Sequence, residues 1–577
     1  MRLIKTAFEN KLAFHEKKIF LGRWCQIFDD TNINEDESTK YLPYHWDDRE
    51  KYYSDYLYLD ELYEKNLVKY SKLLNNIHGV NNNLKYWRIV IGPWLRSFTD
   101  ILYDRYESIR LANNSNIVSD IRVHSYVQDD WVPKDFDQYF SFFTDDPWNE
   151  IIYSECIKHL QINFNEEGQL SIEKKEIKKN KSKVKKNSFK WLYLQYQKLI
   201  PSYSPDVAIV DPNASHFNVL YLQLRLMCLP YLLSPICAIR NKVTDTIMRN
   251  KLEIKISNND FEGFLQSMIP INMPKVHLEL FDDLKNEALA AFPKSPKIIY
   301  TANAYQRNEG FKVWTAENVN KNTKLYIGQH GGNLGIAGWS QGEIHQKKIS
   351  DKYFSWGWLD DLYPNVVSLP SMKLAYRSLK QKNSGNILLV TSSLPRYFYS
   401  HYSIPVAGQY YYYLQDQIIF LDKIKRVFIK NFRIRLDSDN FGWRVEHFFG
   451  KAGYNKNIDN LNCDLFNHLH GFRLCVCTHN ATVFLQTMAV NFPTIIFWDP
   501  KYNEIRPSAR KAIESLEEVG ILHYSPESAA EMVNKISGDV MGWWNENKLQ
   551  KVREDFVMLY AKNSSNWITE WVNILKC

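Results

Sequence analysis

Short apolar runs alternate with longer helical patterns from about residue 296 onward. Each run is rich in β-branched or aromatic residues, and helical segments separate most of the runs. A strand that pairs in parallel with its predecessor needs a crossover, usually a helix, so the alternation predicts an α/β fold with parallel sheets. The predicted strands are 297–302, 324–329, 353–358, 386–392, 426–436, 473–478 and 493–498.

The rest of the chain divides around this pattern. With 577 residues it is too long for one ordinary domain and suits two or three. Residues 1–165 are predicted to be mainly helical after a strand at 19–24, and helices return at 189–200 and 216–290. A polar, glycine-ended stretch at 376–385 marks a domain boundary. Two α/β units facing each other would hold a ligand between the carboxyl ends of their strands.

The net charge of +7 is confined to one tract. Residues 174–186 contain eight lysines and one glutamate, which equals the excess of the whole chain. A basic excess spread over a face would suggest nucleic acid, whereas a single basic tract is typical of a solvated loop. We therefore predict a Lys-rich loop at 166–188 and no nucleic-acid partner. The apolar share of 45% and the charged share of 24% exclude disordered, collagen-like and coiled-coil chains.

Several features predict a cytoplasmic protein. Charges interrupt the first 20 residues, so we expect no secretory signal. The longest apolar stretch, 217–239, contains Arg225, Pro230 and Pro235, which favours buried helices over a membrane span. Eight cysteines are scattered without a C-x-x-C pair, as expected of buried thiols in a reducing compartment.

The most informative segment, 473–498, reads strand, turn, helix and strand within 26 residues. The helix is expected to begin near Ala481, with Asn480 or Thr478 suited to cap it. Free backbone N–H groups and the helix dipole at such a start favour an anion. Further donors to a phosphate in this turn are Thr478, His479, Asn480 and Thr482. The alternative is an ordinary βαβ unit with a satisfied histidine.

A second segment, 324–358, ends a predicted strand at Gln329 and continues into a loop with six glycines in 328–342. Paired glycines permit positive φ and a close approach of the backbone to a ligand. A histidine and a carboxylate beside such a loop can act as general base or as donors to an oxyanion or phosphate. The residues concerned are His330, Gly331, Gly332, Glu343, His345 and Asp351. The alternative is a tight turn with a surface histidine.

Two arginines stand where an anion could bind. Arg435 lies in a predicted strand, and Arg506 precedes Pro507 at a predicted helix start. Arginine binds phosphate and carboxylate through paired hydrogen bonds, although each of these could instead form a surface ion pair. The sequence 437–439 has the form of a D-x-D metal motif, but such short acidic patterns are common by chance. We therefore predict no metal site.

The N-terminal segment 41–56 carries a further group of candidates. Asp47 and Asp48 stand at a predicted helix start, where acidic side chains complement the dipole. His45 and Trp46, among aromatic neighbours, are candidates for lining a sugar-accepting cleft. The sequence contains no P-loop, nucleophile elbow, H-E-x-x-H or dinucleotide glycine motif.

The chain resembles a family of transferases of bacterial surface-polysaccharide (O-antigen and capsule) loci in the segments GQHGGNLG, ISDKYFSWGW, RIRLDSDNFGW, THNATVFLQTMAVNFPTIIFW and NEIRPSAR. The segments YLPYHWDDREKYY and KYWRIVIGPWL extend the resemblance over nearly the whole chain. The HGG and THNAT elements are more distantly similar to capsule Kdo transferases, nonulosonate transferases and glycerophosphotransferases of teichoic acid synthesis. The resemblance implies the GT-B architecture, two facing Rossmann-like domains, with a helix-rich N-terminal portion.

The same resemblance implies a division of roles. Residues 1–380 would form an acceptor and catalytic domain, 381–540 a domain that binds a cytidine nucleotide-sugar donor, and 541–577 helices that pack back on the N-terminal domain. Catalytic candidates are His330, Glu343, His345 and Asp48, with Asp351 also open as the catalytic acid. Donor-binding candidates are Gly331, Gly332, Ser392, Ser393, Arg435, Thr478, His479, Asn480, Ala481, Thr482 and Arg506. Acceptor-binding candidates are His45 and Trp46, and no metal or other cofactor is expected.

Three functions are consistent with the sequence. The first is a glycosyltransferase that moves a nonulosonate or Kdo-type sugar from a CMP-activated donor to an oligosaccharide or lipid-linked glycan. The second keeps the fold and uses CDP-glycerol, CDP-ribitol or a UDP- or GDP-sugar. The third is a non-enzymatic module that binds an anionic polymer or membrane through Lys174–Lys186. Under the first, the same tract is expected to give weak association with the inner membrane.

Overall fold

The computed structural model describes residues 1–12, 17–28, 40–170, 205–229, 237, 239–254, 260–375, 377–439, 441–459 and 463–576. Nothing is described between 171 and 204, so the predicted helix 189–200 and most of the predicted Lys-rich loop 166–188 lie outside the described residues. The described start of that predicted loop, 166–170, is part of a strand, so the loop prediction was wrong there. Two large parallel sheets organise the described chain, one in the N-terminal and one in the C-terminal half, and two further sheets have two strands each. The predicted α/β fold of two Rossmann-like units is therefore confirmed.

The strands and helices follow one another in two series. The strands are β1 (Arg2–Ile4), β2 (Lys18–Phe20), β3 (Arg122–Tyr126), β4 (Asn165–Leu170), β5 (Val207–Val210), β6 (Ile298–Thr301), β7 (Lys324–Gly328), β8 (Lys352–Ser355), β9 (Val366–Ser368), β10 (Asn386–Val390), β11 (Phe432–Arg435), β12 (Ile458–Asp459), β13 (Phe472–Cys477), β14 (Thr494–Phe497) and β15 (Leu522–His523). The helices are α1 (Ala7–Leu12), α2 (Arg49–His78), α3 (Leu84–Val90), α4 (Gly92–Asn114), α5 (Phe136–Thr144), α6 (Asp146–His159), α7 (His216–Arg225), α8 (Thr246–Asn250), α9 (Phe261–Asn272), α10 (Phe281–Ala291), α11 (Ala304–Arg307), α12 (Glu309–Val319), α13 (Gln341–Ile349), α14 (Tyr410–Lys423), α15 (Arg426–Ile429), α16 (Val445–Lys451), α17 (Leu465–Leu469), α18 (Thr482–Ala489), α19 (Pro507–Glu518), α20 (Pro526–Ile536), α21 (Val540–Trp544), α22 (Asn547–Tyr560) and α23 (Trp567–Leu575).

The N-terminal sheet contains five parallel strands in the order β5-β6-β7-β8-β9. Strands β5 and β6 are buried along their whole length, as expected for strands covered on both faces. One face carries a core of its own, in which Tyr300 and Phe354 pack on Trp571 of α23. The C-terminal helix is therefore part of this half of the molecule.

The C-terminal sheet contains six parallel strands in the order β12-β11-β10-β13-β14-β15. After β10 the chain builds outward through β11 and β12, and then returns to place β13 on the other side of β10. Strand order reverses at this point, so the loops after β10 and β13 diverge and leave a crevice between them. Ligands of open α/β sheets bind at such crevices.

The helical N-terminal portion is held by a cap and by burial. Helix α2 begins after Asp48, whose carboxylate accepts hydrogen bonds from the N–H groups of residues 50 and 51, and it ends at Gly79 with φ of 62°. Helix α4 is buried over most of its length and packs against α2 and α6. The predicted helical character of residues 1–165 therefore holds for most of the described part.

Some local predictions were wrong. The run 426–436 is not one strand, because Arg426–Ile429 forms a short helix before β11. The apolar stretch beginning at residue 217 was expected to be buried, but Phe217 and Met227 are largely exposed. The strands β5, β9, β12 and β15, which have only two to four residues each, were not predicted.

The last helices contact both halves of the molecule. Helix α22 packs on α18 and α19 of the C-terminal half, whereas α23 packs on α7 and the N-terminal sheet. The indole Nε1–H of Trp571 donates to the carbonyl of Pro370 at 2.8 Å, which fixes α23 on this sheet. No helix among the described residues combines the length and apolar character needed to cross a membrane.

Candidate active site

A cleft of about 330 Å³ lies between the two sheets, at the carboxyl ends of their strands. Its walls include the loop after β7 from the N-terminal half and the loops after β10 and β13 from the C-terminal half. Candidates from the sequence that line the cleft are His330, Gly332, Ser392, Ser393, His479, Asn480 and Ala481. Residues that lie 149 positions apart in the chain, such as His330 and His479, thus share one cavity.

The glycine loop of the N-terminal half touches the helix start of the C-terminal half. Gly331 and Gly332 have φ of 135° and 73°, values that side chains rarely adopt. A Cβ atom on Gly331 would stand 2.4 Å from Oγ1 of Thr482, and the N–H of Gly332 donates to the same oxygen at 2.6 Å. Glycine is therefore required at 331 for this close approach.

The expected cap of α18 is absent. Ala481 is the N-cap residue and has no side chain that could accept a hydrogen bond. Thr478, a predicted cap, instead donates to the carbonyl of Val390 at 2.9 Å, and its Oγ1 lies 2.6 Å from the hydroxyl of Tyr413. The first N–H groups of α18 thus lack a side-chain acceptor at the wall of the cleft, an arrangement that favours an anion.

Several polar atoms around the cleft are buried without a protein partner. These atoms are Nδ1 of His330, Nδ1 of His479 and both side-chain amide atoms of Asn480, which is 2% exposed. Buried polar groups in folded proteins nearly always have a partner, so each exception needs an explanation. Their shared position at one cavity indicates a polar ligand.

Both histidines of the cleft are neutral at pH 7. Burial, and then the positive charge of Lys373, lower the pKa of His330 to about 4. Burial also lowers the pKa of His479 to about 4. An anion bound in the cleft would raise both values, because an opposite charge favours the protonated ring.

Glu343 and Arg506 form an ion pair that joins the two halves outside the cleft lining. Glu343 is 1% exposed and accepts hydrogen bonds from the Gly335 N–H, from Arg506 and from Lys347, at 2.9, 2.9 and 2.8 Å. Burial by itself would raise the pKa of Glu343, but the charges and hydrogen bonds of Arg506 and Lys347 lower it overall. The carboxylate is therefore ionised, fully hydrogen-bonded and not a lining residue of the cleft.

The remaining candidates lie apart from the cleft. Asp48 is the exposed cap of α2, and Asp351 accepts a hydrogen bond from the Leu325 N–H at 2.8 Å. Arg435 is bound to Nδ1 of His468 and to a backbone carbonyl, both within the C-terminal half. None of the three lines the cavity, and neither does the other remaining catalytic candidate, His345.

The predicted acceptor residues are core residues. Trp46 is fully buried, donates through Nε1 to Asp55 at 2.8 Å and packs on Phe398. His45 is 7% exposed, and its Nε2 lies 3.1 Å from Asp104. Neither residue lines the cleft.

The sequence matches the profile described as LIC12162 family transferase over residues 1–575. The chain belongs to this family. It is a transferase, and the family description names no donor or acceptor. No curated protein sequence matches the chain.

Solved structures give only remote similarity. A protein from Listeria monocytogenes assigned as UDP-N-acetylglucosamine 2-epimerase has a TM-score of 0.36 and 10% identity, covering 64% of this chain and 94% of its own. A glycosyltransferase from Rickettsia africae ESF-5 has a TM-score of 0.33 and 12% identity, and the match covers 65% of this chain and 98% of its own. WaaG, a glycosyltransferase of lipopolysaccharide biosynthesis, has a TM-score of 0.30 and 11% identity, and the match covers 64% of this chain and 99% of its own.

Sequence reasoning missed the tyrosines of this transferase's cleft. Tyr305, Tyr399, Tyr402 and Tyr413 all line the cavity. Tyr413 accepts a hydrogen bond from the Ser392 N–H at 2.7 Å and so joins the loops after β10 and β13. The tyrosine-rich run 397–413 was the available signal, although composition alone did not separate such residues from core packing.

The lining has a particular chemical character. Among the described residues it contains histidine, tyrosine, serine, asparagine and glutamine side chains, and no aspartate or glutamate. Within the same described ranges, no three histidine, cysteine or carboxylate side chains are grouped closely enough to hold a metal ion. The cavity therefore offers neutral donors, two imidazoles and one open helix start.

Proposed function

We propose that this transferase is a glycosyltransferase that moves a nonulosonate or Kdo-type sugar from a CMP-activated donor to a surface-polysaccharide acceptor. One observation carries the proposal: at the point where strand order reverses in the C-terminal sheet, the uncapped start of α18 and the unpartnered Asn480 face a cavity that also holds His330. An anionic leaving group fits the start of α18 and Asn480, and a reacting hydroxyl fits His330.

The phosphate of the donor would lie at residues 479–482. Backbone N–H groups at the start of α18 and the side-chain amide of Asn480 would be its donors, since Asn480 and Ala481 line the cavity and α18 has no side-chain cap. Negative charge grows on the phosphate as its bond to the sugar breaks. Fixed donors stabilise that charge without reorganising, which lowers the barrier. Proton donation or positive charge from His479 would add to this effect.

His330 is the proposed proton acceptor. The acceptor hydroxyl attacks the anomeric carbon, the bond from this carbon to the phosphate oxygen breaks, CMP leaves, and the hydroxyl proton passes to Nδ1 of His330. This atom is unpartnered, and the ring is neutral at pH 7. A bound phosphate nearby would raise the pKa of His330 toward the range useful for a general base.

The proposed reaction uses the protein's own groups and no resident metal or cofactor. Turnover should therefore persist in EDTA. Loss of turnover in EDTA, with recovery on addition of Mg²⁺ or Mn²⁺, would contradict this part of the proposal and leave the donor assignment intact.

Nucleotide binding is the first test of the donor. Thermal unfolding of the full chain should shift upward with CMP and less with UMP, UDP, GDP or CDP, since ligands that bind the folded state stabilise it. A larger shift with CDP would favour glycerol- or ribitol-phosphate transfer, and one with UDP or GDP a different nucleotide sugar. No shift with any nucleotide, together with binding to anionic vesicles that depends on Lys174–Lys186, would overturn the enzyme proposal.

Two substitutions separate the proposed roles. His479→Ala should raise the donor KM, and His330→Ala should lower kcat with little effect on CMP binding. The exposed His470→Ala is the matched control and should change neither. Unchanged donor affinity in His479→Ala would remove the phosphate role of this residue.

A further inference from the structure

A second chamber adjoins the cleft on the side of the N-terminal helices. Its volume is about 70 Å³, several times the ~10–15 Å³ that one water molecule needs. It shares walls with the cleft at Tyr305, Gly342, Tyr399 and Tyr402. The two cavities therefore adjoin at these residues, which is where a substituent of a molecule bound in the cleft would enter the chamber.

One wall of the chamber is aromatic. Phe136, Phe140 and Phe143 of α5 form it together with Tyr305 and Tyr399. The side chains of Phe136 and Phe143 are almost fully buried. Such a wall is suited to a methyl or methylene group and offers nothing to a fully hydrated ligand.

Other parts of the chamber lining carry polar atoms without partners in the protein. Nη2 of Arg96, Nε2 of His345 and Oε1 of Gln341 are all buried and make no hydrogen bond in the protein. Arg96 itself is 4% exposed. Nη2 of Arg96 can only donate and Oε1 of Gln341 can only accept, so the chamber offers both kinds of partner to one ligand.

The positive and negative charges around the chamber balance. Arg96 contacts both Asp60 and Asp100 at 2.7 and 3.1 Å. Further out, Arg88 and Lys348 pair with Glu64, and Lys312 pairs with Glu309. Burial, and then the charges of Arg88, Lys312 and Lys348, lower the pKa of His345 to about 3, so its ring is neutral. No excess positive charge remains to attract a carboxylate or phosphate.

We propose that this chamber binds the N-acyl group of an amino-sugar substrate. The acyl carbonyl would accept from Nη2 of Arg96, the amide N–H would donate to Oε1 of Gln341, and the methyl group would pack on the phenylalanines of α5. A neutral amide with a methyl end can hydrogen-bond to both Arg96 and Gln341 and place its methyl group on the aromatic wall. A hydroxyl would leave the aromatic wall without an apolar group to contact. The proposal deepens the glycosyltransferase assignment and rests on it.

The test uses free sugars, so that it does not depend on the nucleotide. Saturation-transfer NMR on the full chain would compare N-acetylglucosamine, N-acetylgalactosamine and N-acetylmannosamine with the parent neutral hexoses. We expect binding of at least one N-acetyl sugar, with the acetyl methyl as its most strongly saturated group, and at least tenfold weaker binding of its parent hexose.

Gln341→Leu gives the sharpest variant. It removes an acceptor that has no partner in the protein, so thermal unfolding should be unchanged or slightly higher. Affinity for the N-acetyl sugar should fall about tenfold, as expected when one hydrogen bond to a buried group is lost. Phe140→Trp, which reduces the space in the chamber, should weaken the same binding. The exposed Gln128→Leu is the matched control and should leave binding unchanged.

The outcomes separate this inference from the proposed function. Equal binding of N-acetyl sugars and hexoses, or full binding by Gln341→Leu, would overturn the chamber assignment even if CMP binds. Selective N-acetyl binding without any nucleotide effect would support the chamber and count against the CMP donor. The preference for N-acetylated over unacetylated sugars can also be compared between CMP-sugars and free sugars. A stronger preference among CMP-sugars would place the N-acyl group on the donor, and a stronger preference among free sugars would place it on the acceptor.

Discussion

The ion pair between Glu343 and Arg506 should be one of the most important single contacts between the two halves. Glu343 is 1% exposed and accepts three hydrogen bonds, two of them from cations. Neutralising one partner of a buried pair leaves the other charge uncompensated and costs about 3–5 kcal/mol. We expect Glu343→Gln to reach the lower end of this range, because Arg506 loses its charged acceptor while Lys347 keeps Asp360 at 2.6 Å.

Replacing the partner, Arg506, should cost less than replacing Glu343. Arg506 is 16% exposed, so solvent partly screens its charge, and Glu343 keeps Lys347 as a partner. Arg506→Met is therefore expected to cost about 2–3 kcal/mol, below the full penalty for a buried pair. The double variant should cost less than the sum of the two single variants, because residues in direct contact couple by about 0.5–3 kcal/mol.

Urea unfolding followed by tryptophan fluorescence measures these differences as shifts of the transition midpoint. Glu61→Gln is the matched control, since this carboxylate is largely exposed on α2 and its ion pair is with Lys65, which is also exposed. The control should leave the midpoint unchanged. Strict additivity of Glu343→Gln and Arg506→Met would refute the reasoning, as would a change in Glu343→Gln no larger than that of the control.

Three further predictions concern other parts of the protein. Thr482→Val removes the acceptor of the Gly332 N–H at the wall of the cleft and should weaken CMP binding severalfold in a thermal-shift titration, with normal binding as the contrary result. Trp571→Ala should destabilise the protein by about 3–5 kcal/mol, as for other buried aromatic residues, and a change below about 1 kcal/mol would show that α23 does not hold the N-terminal sheet. Acid should also destabilise the protein. Burial by itself would raise the pKa of Glu64, but Arg88 and Lys348 lower it to about 2, so the stabilising contribution of this carboxylate is present above pH 4.5 and is lost as the pH falls toward 2. The urea midpoint should therefore decrease between pH 6 and pH 3, and the decrease should be smaller in Glu64→Gln.

Much of the fold could be predicted because its signals are local. The apolar runs at 297–302, 324–329 and 473–478 became β6, β7 and β13, since strands buried on both faces must be continuously apolar. The failures have physical causes as well. Strand β15 has two residues, too few to form a periodic pattern. The first four residues of the predicted strand 426–436 form a helix before β11, although three of them are apolar.

The candidate site was predicted in part. Residues 478–482 and His330 were identified because a strand end, a glycine loop and a helix start are visible in sequence. The role of Glu343 was not visible, because its partners Gly335 and Arg506 are brought to it only by folding. Trp46 shows the opposite error: its aromatic neighbours suggested a sugar surface, but burial against Phe398 made it part of the core.

The sequence by itself determined the α/β class, the turn that precedes α18 and the confinement of net charge to one lysine tract, because each depends on neighbouring residues. Tertiary structure alone decided which loops meet. Only the packing of the two halves places Thr482 against Gly332 and leaves the start of α18 without a cap at a cavity. Contacts between residues 150 positions apart have no local pattern, so the cleft and its chamber exist only in the folded chain.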